Sequence, residues 1–107
     1  MLYRIALADD DFEVIRVMET YLHQIEQERN LTFQITVYHN GITLWNDFKS
    51  QFDIILMDID MPHLNGMETA ERIRKLDEDV ILIFITNLTD YAVRGYSVHA
   101  YSYFRQG

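Results

Sequence analysis

Acidic and hydroxyl residues fall in this chain where apolar runs stop. Leu2 to Ala8, apolar but for Arg4, ends on Asp9-Asp10-Asp11. Ile54-Ile55-Leu56-Met57 ends on Asp58, with Asp60 two residues on, and Val80 to Ile85 ends on Thr86. Carboxylates held together repel and resist ionisation unless a cation compensates. A ligand set of oxygens, with no His or Cys in it, suits a hard ion. Mg2+ fits best, because it binds through one or two carboxylates, keeps waters and leaves room for phosphate. A single Asp after a strand is usually a helix cap, and Asp11 is placed to be one. Three acids at one strand end, an isolated acid at another and a hydroxyl at a third exceed what capping requires.

These groups act together only if the elements bring them to one edge. After Asp11, Val14, Ile15, Met18, Leu22 and Ile25 recur on one helical face, and Asn30 is a left-handed stop. Leu31 to Val37 alternates apolar and polar residues, the pattern of an edge strand with one wetter face. Asn40-Gly41 marks a turn before a short helix carrying Ile42, Leu44, Trp45 and Phe48. The stretch Phe52 to Gly66, FDIILMDIDMPHLNG, reads as a strand buried on both faces, a turn at Met61-Pro62, and Asn65-Gly66 opening a helix. That helix runs to Leu76 with Met67, Ala70 and Ile73 inward, and Asp77-Glu78-Asp79 is a polar loop. Val80 to Ile85 is a second fully apolar strand, Thr89-Asp90 caps a short helix through Tyr96, and Ala100 to Phe104 is the last strand. Strands and helices alternate with connections too long for hairpins, so the sheet is expected to be parallel with helices on both faces. In such an α/β fold the ligand sits beyond the carboxyl ends of the strands, where Asp9, Asp10, Asp58 and Thr86 all fall. With the first and third strands adjacent, their acids face one cleft.

The 107 residues suffice for one domain with one real core. Absence of cysteine excludes a disulfide scaffold and a thiolate zinc site, and suits a reducing cytoplasm. No run approaches the roughly 18 apolar residues of a membrane span, and Met1-Leu2-Tyr3-Arg4 leads into a strand rather than a signal peptide. A net charge of -8 argues against this domain gripping nucleic acid through its own surface.

Taken together, ADDD before an amphipathic helix, ILMDIDMPHLNG and FIT resemble a response-regulator receiver domain of two-component signalling, over essentially the whole chain, residues 1–107. The resemblance implies a flavodoxin-like open parallel sheet of five strands in the order 2-1-3-4-5. It implies that Asp58 accepts a phosphoryl group from a sensor histidine kinase. Asp10 is then the direct Mg2+ ligand, Asp9 reaches the ion mainly through water, and the backbone carbonyl of Asp60 completes the protein ligands. Thr86 matches the hydroxyl that contacts the phosphoryl oxygens, and Tyr103 the aromatic that reorients when that threonine moves. The domain is then not a turnover enzyme, although it assists its own phosphorylation and dephosphorylation. The segment Thr89 to Phe104, TDYAVRGYSVHAYSYF, resembles receivers attached to a LytTR-type DNA-binding domain, so DNA would be reached only through an output domain outside this chain.

The chain departs from the family pattern at its end. Receivers carry a lysine three residues after the switch aromatic; here Gln106 and Gly107 occupy that region. Glutamine can donate a hydrogen bond but supplies no charge. The sequence also ends before a fifth helix, which predicts an apolar patch on one face of the last strands and a homodimer or segment exchange to cover it. Two other readings compete. One is a receiver-like interaction module that ignores phosphate. The other is a haloacid-dehalogenase-type phosphohydrolase, suggested by Asp58-Ile59-Asp60, although Pro62 stands where a Thr normally follows.

Overall fold

The computed structural model describes residues 1–85 and the strand Ser102–Phe104. Each helix begins on a side chain that supplies an acceptor to its unpaired N–H groups. Asp11 opens α1 (Phe12–Arg29) by accepting from Glu13 N at 2.9 Å. Asn40 opens α2 (Gly41–Asp47) by accepting from Thr43 N at 2.8 Å, and Asn65 opens α3 (Gly66–Leu76) by accepting from Glu68 N at 2.9 Å. Asn30 ends α1 at φ 54°, the left-handed conformation its short polar side chain tolerates.

The strands β1 (Leu2–Ala8), β2 (Thr32–Tyr38), β3 (Ile54–Met57), β4 (Ile81–Ile85) and β5 (Ser102–Phe104) form one parallel sheet in the order β2-β1-β3-β4-β5. This is the expected flavodoxin-like order. The chain steps one way from β1 to β2 and the other way through β3 to β4. Right-handed crossovers therefore put α1 on one face and α2 and α3 on the other. The helix expected through Tyr96 lies outside the described residues, as do residues 100 and 101 of the last expected strand.

Alternate strand residues feed two cores. Ala6, Ala8, Ile55, Met57, Leu82 and Phe84 pack with Leu44, Met67, Ala70 and Ile73 from α2 and α3. Ile5, Leu7, Leu56 and Ile85 pack with Ile15, Met18 and Leu22 of α1. Burial on both faces is why β1, β3 and β4 read as continuous apolar runs. The exceptions lie at the far end of α1, where Ile25 is exposed. It borders an apolar groove of about 600 Å³, lined also by Leu22, Phe33, Ile54 and Ile83.

Candidate functional site

The sheet order brings two acid-bearing strand ends side by side. Ala8 is in register with Met57, so Asp9 and Asp58 leave adjacent strands at the same level. Each is tied down at its backbone: Asp58 N donates to Ala8 O at 2.9 Å, and Asp9 N donates to Tyr38 O at 3.0 Å. The Tyr38 ring is itself anchored, with its hydroxyl donating to the Asp47 carboxylate and its plane nearly perpendicular, at 87°, to the Phe52 ring.

Asp9, Asp10 and Asp58 each offer a carboxylate oxygen, and those oxygens lie within 4.8 Å of one another. Asp9 is 1% exposed. One of its oxygens accepts from Asp11 N at 2.9 Å, while the other is buried without a partner. Asp58 accepts from Asp60 N at 3.3 Å. Asp10 and Asp60 are exposed at the rim of a cleft of about 560 Å³.

Burial pushes the Asp58 carboxyl up to about 7, helped by the charge of Asp9 and, less, by Asp10 and Asp60; the Asp60 N–H opposes the rise. Asp9 is pushed up to about 6, again chiefly by burial, with the Asp11 N–H opposing and Asp10 and Asp11 adding repulsion. A buried carboxylate oxygen without a donor, beside two further acids, is a donor set that asks for a hard cation. The residues present fit Mg2+.

The loop that carries Asp60 is held by backbone. Gly66 N and Met61 N both donate to Ile59 O, at 2.8 and 3.1 Å, and Leu64 N donates to Pro62 O at 2.9 Å. A Cβ on Gly66 would collide with the Asp58 carbonyl oxygen and stand 2.8 Å from Ile59 Cα. Glycine is needed there because α3 begins in contact with the strand end that bears Asp58.

Asp9, Asp10, Asp58 and Asp60 thus share the cleft they were expected to share. Thr86 and Gln106 lie outside the described residues. Tyr103 falls in β5, in register with Phe84, and its side chain lies outside the described residues too. One rim residue, Phe12, was not singled out in the sequence. Phe12 lines the cleft as the first residue of α1, and its ring meets the His39 ring at a tilt of 37° with centroids 4.4 Å apart. An apolar residue directly after three acids was the available clue; its histidine partner comes from beyond β2 and only the fold brings it there.

Comparison with known proteins agrees with this architecture. The family described as response regulator receiver domain matches residues 5–105, and the chain belongs to it. A probable transcriptional regulator, ycf29, of Porphyra purpurea is 32% identical over 96% of this chain and 49% of its own length. The sensory transduction protein LytT of Oceanobacillus iheyensis is 31% identical over 96% of this chain and 42% of its own. The chain therefore spans about half or less of these relatives. Among solved structures, the response regulator protein TrrA of Thermotoga maritima, in complex with Mg2+ and BeF, superposes with a TM-score of 0.78. It is 26% identical and covers 98% of this chain and 87% of its own. Receivers are signalling domains rather than conventional enzymes, and this membership leaves the phosphohydrolase reading without support. Among the described residues, no helix is long and apolar enough to cross a membrane.

Proposed function

We propose that Asp58 is the phosphoacceptor of this receiver and that it takes its phosphoryl group from a phosphohistidine on a sensor histidine kinase. The observation that carries the reading is the cluster of Asp9, Asp10 and Asp58 around a buried carboxylate oxygen with no partner. Asp9, Asp10, Asp58 and the carbonyl of Asp60 would hold Mg2+. When bound, the ion neutralises the carboxylates and offsets charge on the transferring phosphoryl oxygens. At neutral pH without a cation, Asp58 is close to half protonated, and a protonated carboxyl is a poor nucleophile. A bound cation would hold the Asp58 carboxyl in its ionised, nucleophilic form.

The remaining roles are assigned with it. Thr86 contacts the phosphoryl oxygens, Tyr103 reads the movement of Thr86, and Gln106 stands in place of the usual lysine. The whole of residues 1–107 is the receiver, working in the cytoplasm. Resemblance to a transcriptional regulator and to LytT supports a DNA-binding output domain, of LytTR type, on the full protein. A homodimer or segment exchange belongs to the same reading.

Gln106 favours one competing reading, a module that no longer answers to phosphate. Incubation with Mg2+ and acetyl phosphate, followed by intact mass measurement, separates the two. Gain of one phosphoryl group, abolished in Asp58→Ala, supports the phosphoacceptor. No gain, together with no Mg2+ binding by calorimetry, supports the silent module.

A further inference from the structure

The cleft around Asp58 is lined by Asp9, Asp10, Asp11, Glu13 and Asp60, and among its described lining residues there is no basic side chain. Among those lining residues the one aromatic is Phe12, 71% exposed beside His39. Most of the Phe12 ring is open to solvent at the mouth of this charged cleft, so a flat group on a donor has access to it. The His39 ring lies against one side of it, at a centroid distance of 4.4 Å.

We infer that Phe12 is a specificity residue that receives the flat imidazole ring of the phosphodonor. The inference rests on the phosphoacceptor reading above. A phosphorylated imidazole becomes a good leaving group when its second ring nitrogen carries a proton. That form is a planar cation joined to an anionic phosphoryl group. The face of an aromatic ring attracts such a cation, and the surrounding carboxylates add to the attraction. In the transfer, an Asp58 carboxylate oxygen forms the bond to phosphorus as the P–N bond breaks. The electron pair of that bond goes to the ring nitrogen, the proton on the other nitrogen stays, and the ring departs as neutral imidazole. A donor without a ring can bring a cationic nitrogen but no flat face to stack on Phe12, so the comparison isolates the ring.

Two small donors isolate the contact: monophosphoimidazole, which has the ring, and phosphoramidate, which has the P–N bond without it. Rates of phosphorylation are measured by intact mass for both, each relative to the donor's own hydrolysis. The wild type is expected to prefer the ring donor. Phe12→Ala should lower that preference about two- to fivefold, the range a partly solvated aromatic contact supplies. Phe12→Trp should keep it. Absence of preference in the wild type, an equal loss with both donors in Phe12→Ala, or loss of preference in Phe12→Trp overturns the inference. Uptake from neither donor by the wild type overturns the phosphoacceptor reading itself, and the inference with it.

Discussion

Asp58 donates its backbone N–H to the carbonyl of Ala8 at 2.9 Å, so the ladder between β1 and β3 runs out just where each strand turns acidic. Main-chain bonding therefore sets Asp9 beside Asp58 against the repulsion of their side chains. The cost of that placement is visible in both carboxyls, which hold their protons well above the ordinary range.

Stability should therefore depend on pH in the direction opposite to ordinary acid denaturation. Asp9 and Asp58 have folded pKa values raised to about 6 and about 7, so their contribution is fully present below about 4 and is lost as pH rises through those values. Without metal, melting followed by circular dichroism should occur about 4 °C or more higher at pH 5.5 than at pH 8, equivalent to roughly 1 kcal/mol for a domain of this size. Glu26, whose pKa is lowered by the Phe33 N–H and by His23, acts in the other direction only at and below the ordinary carboxylate range and leaves this window untouched. Saturating Mg2+ should flatten or reverse the slope; an unchanged slope with Mg2+ would count against the acids as its ligands.

Asp9→Asn should separate stability from metal binding. Removing one buried charge relieves Asp58 and raises the melting temperature of the metal-free domain at pH 8. The same change should weaken Mg2+ binding by at least about tenfold by calorimetry. Both effects moving in one direction would contradict the site.

Gly66→Ala should be among the harsher small substitutions. The added methyl meets backbone on the strand that bears Asp58, which side-chain movement cannot relieve. Overpacking of this kind costs about 1–3 kcal/mol, readable as a lower urea midpoint, and Mg2+ binding should weaken with it.

Asn30→Ala provides a contrast far from the cleft. Its left-handed backbone at φ 54° disfavours a Cβ without a polar group to compensate, so about 1 kcal/mol of stability should be lost. Mg2+ affinity should match the wild type. A loss of affinity would show that the far end of α1 is coupled to the site.

Much of the molecule was legible before the structure. Period and punctuation marked out the elements: Asp11 and Asn65 cap their helices, Asn30 stops α1, and the apolar runs of β1, β3 and β4 announce burial on two faces. Asn40 was read as a turn and is also a cap, because an asparagine before glycine serves either and only the chain beyond decides. Such features are local, set by a few consecutive residues and their backbone preferences.

What the sequence determined by itself is the kind of edge this protein presents: apolar strands ending on acids, too many of them for capping alone. Tertiary structure decided how those acids coexist. It buried one oxygen of Asp9 without a donor, pressed Gly66 against the Asp58 strand, and brought His39 under Phe12. The contact of Phe12 with His39 and the burial of Asp9 join segments far apart in the chain through sheet order and register, and that of Gly66 depends on how the loop after β3 folds back. Proton affinity and close approach depend on everything that surrounds a group, and no run of neighbouring residues contains that information.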